Sequence, residues 1–374
     1  MLHMPNRRYM PEFAGLETID FLSTEALAVK LLHAGFEAEK EGRPKPDSLP
    51  PDERFAAAKA DPSAFAWRLR LESGGNEERF RDYLERFINE IDTTVITALI
   101  IGDCWNPGLA NDRPDEVRDL LIERSAEFPA LSALFFGEVI ATETSKISWV
   151  AQSDVSPLLA TFPRLSEFAV RGADHMAFQG IGAFRLAWNV PRHEGLRRLT
   201  LQSHRLDPVV VRSVLASELP ALEHLELFLG SADNDGARPA DLAPLLSGSA
   251  FPALKNLGLR NGQDTDELVA ALADAPITRR LAALDLSLGT LTDKGARVLL
   301  DTPIFRALDR LDLHHHYMSE EMTERVRTQF TDAGVDVNTN DRQELDEWDD
   351  PGDPEDLGVE DDWEPDSYLP AIID

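Results

Sequence analysis

The sequence holds a single cysteine, Cys104, among 374 residues. One thiol excludes an internal disulfide framework and any zinc site built from several cysteines. Basic residues are also scarce: 37 Lys and Arg stand against 67 Asp and Glu, a formal net charge of −30. A nucleic-acid binder needs cationic surface to displace counterions from phosphate, so the charge argues against that class. It argues equally against docking on anionic membranes. Long apolar runs are missing. Residues 26–32 form the longest such stretch near the start, and it contains Lys30, far short of a membrane span. The opening MLHMPNRRYMPEFAG places Arg, Pro and Glu where a secretory signal would need an apolar core. The expectation is a soluble protein of the cytoplasm.

Hydrophobic residues make up 43% of the chain, ample for a core, and the length suggests two or three domains as a first prior. Charge is unevenly placed. Residues 341–374 carry 15 Asp and Glu against one basic residue, Arg342, and include four prolines. Like-charge repulsion and proline predict an acidic, disordered tail over 339–374. A solubilising tail is the plainer reading; Trp348, Trp363 and Tyr368 favour the alternative of an interaction arm.

An internal repeat organises the middle of the chain. Leu-x-x-Leu-x-Leu occurs at Leu196/Leu199/Leu201, Leu222/Leu225/Leu227, Leu254/Leu257/Leu259, Leu281/Leu284/Leu286 and Leu308/Leu311/Leu313. Looser copies precede them at Ile96, Leu131 and Leu165. Phe128-Pro129, Phe162-Pro163, Leu219-Pro220 and Phe251-Pro252 put a proline two residues before the first position of a copy. Proline cannot donate to a ladder and bends its predecessor out of helix, so it should end one segment just before the next strand. Between copies, 115–128, 208–217, 240–246, 265–273, 293–301 and 319–330 carry apolar residues at helical spacing. The unit is therefore strand, turn, helix, and consecutive strands should be parallel.

This pattern resembles the leucine-rich-repeat family, of the longer ribonuclease-inhibitor-like type. The best match is LAALDLSLGTLTDKGARVLL at 281–300. The chain is also similar to uncharacterised bacterial leucine-rich-repeat proteins that carry a Phe-Ala-Gly stretch, here Phe13-Ala14-Gly15. The resemblance implies an α/β solenoid, a horseshoe with parallel strands on the concave face and helices on the convex one. Three segments follow: 1–65 as an extension packed on the cap, 66–338 as solenoid with caps, and 339–374 as the tail. One departure is clear. The family's Asn or Cys ladder position is occupied by Cys104, Val139, Ala173, His204, Gly230, Gly262, Gly289 and His316, so the buried Asn ladder is missing. Less regular turns are expected there.

Candidate chemistry is thin. His314-His315-His316 offers metal-ligand types, but successive strand residues point to opposite faces, and a polar strand end is the plainer reading. Cys104 sits at a ladder position with no base beside it in sequence, which suits a buried structural thiol. Gly180-Ile181-Gly182 lacks the third glycine of a nucleotide-binding turn. No phosphate-binding loop, serine-hydrolase elbow or His-Glu-x-x-His occurs. No catalytic residue, cofactor or metal site is assigned. A metal- or thiol-dependent enzyme at the His cluster or Cys104 remains the option from another class.

Alternation places the residues around and between the last two apolar positions of each copy on the concave face. Arg68, Arg70 and Glu72 come first, then Ile100 and Phe135, then Glu167 and Arg171. Arg198 and Gln202 follow, then His224, Glu226 and Phe228. Arg260, Asp285, Arg310, Asp312 and His314 complete the row. Six Arg stand against five acids in an otherwise acidic chain, and Ile100, Phe135 and Phe228 are expected as exposed apolar residues. Arg and aromatics dominate binding hot spots. The expectation is a non-catalytic scaffold that binds a protein partner here, or alternatively a substrate-recognition or adaptor subunit for a separately encoded enzyme. The acidic tail is expected to fold back over the Arg-bearing strands, so that deleting it would raise partner binding.

Overall fold

The computed structural model describes residues 9–71, 78–105, 112–140, 150–172, 176–178, 182–230, 236–344 and 370–371. Glu72, Ala173, Gly180, Ile181, Trp348, Trp363 and Tyr368 lie outside the described residues. The chain opens with a hairpin, β1 (Glu12–Phe13) and β2 (Leu16–Phe21), followed by helices α1 (Thr24–Lys40) and α2 (Glu53–Ala60). Strand–helix units then repeat: β3 (Phe65–Leu69) with α3 (Phe80–Glu90), β4 (Ala98–Gly102) with α4 (Pro114–Glu123), and β5 (Ala133–Glu138) with α5 (Ser156–Thr161). After β6 (Glu167–Arg171), a small antiparallel pair β7 (Met176–Phe178) and β8 (Gly182–Phe184) stands apart from the main sheet. The series resumes with β9 (Arg198–Gln202) and α6 (Pro208–Leu215), β10 (His224–Gly230) and α7 (Ala243–Leu246), and β11 (Asn256–Gly262) and α8 (Thr265–Ala273). It closes with β12 (Ala283–Asp285), α9 (Asp293–Asp301), β13 (Arg310–Asp312), α10 (Glu320–Asp332) and β14 (Asp336–Asn338).

Twelve strands form one sheet in chain order, with β7 and β8 left out. All pairings in it are parallel except β1 with β2. The repeat sets the register: Leu199, Leu225, Leu257, Leu284 and Leu311 face one another across successive strands. These leucines are fully buried and belong to one core that runs from Ile19 to Val335. No single repeat could bury them, so stacking is obligatory.

The phenylalanine- or leucine-proline dipeptides build a β-turn. In each, the N–H of the first repeat position donates back to the carbonyl three residues earlier: Leu131 to Phe128, Leu165 to Phe162, Leu222 to Leu219 and Leu254 to Phe251. Proline thus sits at the second turn position, where its fixed φ fits. Ser319 caps α10 by accepting from the Met322 N–H at 3.2 Å. Three of the ladder positions, Cys104, His316 and Gly289, close their turns in different ways. The Cys104 thiol reaches the Leu69 carbonyl at 3.5 Å, and the His316 ring meets the Thr339 carbonyl at 3.1 Å. Around Gly289, a Cβ would come within 2.3 Å of the Thr265 hydroxyl, which itself donates to the Gly262 carbonyl.

The first 65 residues, expected as an extension lying on the cap, supply two strands of the same sheet. The β1–β2 hairpin turns through Ala14 and Gly15, at φ +52° and +75°. Two positive φ values are what a two-residue type I′ hairpin turn demands. No helix among the described residues is long and apolar enough to cross a membrane.

Candidate functional site: the concave strand face

The side chains pointing away from the core fall into three zones. In the first, over β3–β6, the face is covered. Phe13, with Met10 and Leu16 beside it, packs onto Ala66, Ala98, Ile100, Ala133, Phe135 and Ala169 as a second apolar cluster. The Phe13 and Phe135 rings lie 6.1 Å apart. Arg68 is buried beneath the same segment: it pairs with Glu138, donates to Asp20 at 2.9 Å and reaches the Met10 carbonyl. The Met10 N–H in turn donates to Glu138 at 2.7 Å. The Tyr9 ring stacks over both Arg68 and Arg70. Arg171 is also buried, bonded to Gln202 and the Val139 carbonyl and stacked on Phe135. Burial lowers its pKa to about 10, against the opposing charges of Glu138 and Glu226.

In the second zone, around β6, β9 and β10, the face is open. Arg198 is exposed; Glu167, Thr200, Gln202, His224 and Asn256 are half-buried. Burial raises the Glu167 pKa, while Arg198 and His224 pull it the other way.

The third zone, over β10–β14, is a ladder of paired charges. Arg260 stacks on Phe228 at 4.9 Å, donates to Glu226 at 2.7 Å and to the Ser287 hydroxyl at 3.0 Å, and lies 3.4 Å from Asp285. Burial alone would raise Glu226, but Arg260 and His224 outweigh it and bring it to about 2. Burial raises Asp285, and the neighbouring Asp312 adds to that. Asp312 accepts from the exposed Arg310 at 3.1 Å and from Asn338 at 3.0 Å, and pairs with His314 at 2.8 Å. Beside the ladder, Phe228 and Leu288 form a small buried cluster on which Ala371 rests.

The expected exposure of Ile100, Phe135 and Phe228 is overturned: they are 0%, 1% and 1% accessible. The reason is a covering segment from elsewhere in the chain or, at Phe228, a guanidinium stacked on the ring. The expected Arg stripe is likewise mostly spent on internal acids, and Arg198 is its most open member in the middle of the sheet. The histidines diverge. His314 engages Asp312, His315 lies 3.3 Å from Asp341, and His316 meets a backbone carbonyl. Cys104 is buried, and burial pushes its thiol well above the usual range. Sequence reading missed Tyr9, Met10, Phe13, Glu138, Leu288 and Ala371. The Ala14-Gly15 pair was the one available signal, since it marks a hairpin that carries Phe13. Also missed is a cavity of about 1230 Å³ at the N-terminal edge, between β2, α1 and α2, lined in part by Phe21, Leu27, Arg54, Phe55 and Arg86.

No protein-family profile matches the chain, and no curated protein matches it. Among solved structures, a Bacteroides fragilis protein is similar over 86% of this chain and 84% of its own, with 26% identity and a TM-score of 0.63. The leucine-rich-repeat-containing protein LegL7 from Legionella pneumophila covers 77% of this chain and 87% of its own, with 13% identity and a TM-score of 0.40. The in-register repeat, the parallel sheet and the single stacked core make this chain an α/β leucine-rich-repeat solenoid.

Proposed function

We propose that the chain is a non-catalytic interaction scaffold that holds a protein partner against the middle of its concave face. The observation that carries this reading is the open strip of Glu167, Arg198, Thr200 and His224 between two zones whose side chains are already engaged within the chain. An exposed Arg flanked by half-buried polar groups suits an acidic or polar patch on a partner. Arg260, by contrast, is committed to Glu226 and Ser287 and is not offered as a contact.

A photo-crosslinker at Thr200 in the full chain, expressed in its native host, is expected to trap one protein. Arg198→Glu should reduce that product by about tenfold or more, as charge reversal at a hot spot does. A crosslinker at Val209, which is exposed on α6 away from the strip, should not trap the same protein. A product indifferent to Arg198→Glu would overturn the proposal.

A further inference from the structure

Leu288 is the one large apolar residue among four left-handed positions that follow one another at strand exits. Asn261, Leu288, His315 and Asp341 have φ of +55°, +64°, +58° and +63°, at spacings of 27, 27 and 26 residues. Asn, Asp and His tolerate this conformation; leucine is strained in it. Strain of this kind persists where surrounding contacts over-determine it. Here the Leu288 N–H stays in the ladder, donating to the His314 carbonyl at 2.9 Å. Its carbonyl accepts the Ala371 N–H at 2.8 Å. Its side chain is buried against Phe228, on whose ring Arg260 also stacks. Pro370 is buried as well. A backbone acceptor and an apolar floor with Ala371 packed on it are the elements of a peptide site.

We propose that Phe228, Leu288 and the Leu288 carbonyl form a peptide-docking site, and that Pro370-Ala371 of the same chain occupies it as a tethered ligand. A partner with a similar Pro-small residue segment would have to displace it. Tethering raises the local concentration of the occupant, so only high concentrations of free peptide compete. This deepens the reading of the concave face as a binding surface. Its test does not involve the partner, so its failure and the failure of the scaffold reading are separable.

The test is hydrogen exchange on the full chain, read at the Ala371 amide. Exchange there should be slowed by about tenfold or more relative to an unstructured peptide. Phe228→Ala should remove the protection. Millimolar synthetic peptide of residues 366–374 should abolish protection of the chain's own Ala371, whereas the same peptide with proline at 371 should not. Full-rate exchange at Ala371 in the unaltered chain would overturn the proposal. So would protection that survives Phe228→Ala, protection that rises with protein concentration (a second copy as donor), or indifference to the peptide.

Discussion

Arg68, Arg171 and Arg260 look alike in sequence: each is an Arg on the outward face of a strand. The structure engages all three within the molecule: Arg68 and Arg260 pair with internal acids, while Arg171 is held by the Gln202 side chain and the Val139 carbonyl. Arg68 joins Asp20 and Glu138, residues 48 and 70 positions away, under the Met10 carbonyl. Removing one member of such a buried set leaves a charge without its partner, which costs far more than the pair contributes. Glu226 shows the same logic through pH. Its ordinary carboxyl value of 4.5 falls to about 2 in the folded chain, with burial opposed and outweighed by Arg260 and His224. Its contribution to stability is therefore complete above about 4.5 and is lost as pH drops toward 2. Urea unfolding followed across that window should show a shallower loss of stability in Glu226→Gln than in the unaltered chain. Equal slopes would remove Glu226 from the acid response.

The repeating unit is where the sequence spoke most plainly. The predicted helices at 265–273 and 293–301 are α8 and α9 with those same ends. The helix expected at 319–330 is α10 with Ser319 as its cap. Such agreement is physical: periodicity, caps and Pro turns are local, and each acts within a few residues. The turns carry information of a different kind. Gly230 has φ +76°, and a Cβ there would lie 2.2 Å from the His204 carbonyl. Gly230→Ala should therefore lower the free energy of unfolding by about 1–3 kcal/mol, the usual cost of a residue forced into left-handed backbone. A chemical denaturation curve decides it; a loss of a few tenths would show that the backbone at the end of β10 and around His204 relaxes. Helix α1 exposes apolar residues over several turns. Leu27, Val29, Leu32 and Phe36 are all at least 38% exposed along it.

At the scale of the whole molecule, segments near both ends of the chain return to the same strand face. Residues 10–16 cover β3–β6, and Ala371 meets the Phe228–Leu288 cluster. The middle strip is open because nothing described reaches it. If Phe13 is the cover over Phe135, Phe13→Asp should free that apolar surface. Binding of an apolar fluorescent dye should rise, while the core behind the sheet keeps its cooperative unfolding, because solenoid repeats depend mainly on their neighbours. Unchanged dye binding would show that Phe13 shields nothing.

The beat of the leucines, the parallel order of the strands and the side chains that look away from the core are all written along the chain. All of these follow from short-range rules that a linear pattern expresses. Which part of that outward face meets water emerges only once the chain is folded. Occlusion depends on contacts such as Met10 with Glu138, 128 residues apart, and no periodicity in the chain records the meeting of such distant segments. Hence the face was legible, and its covered and open zones were not.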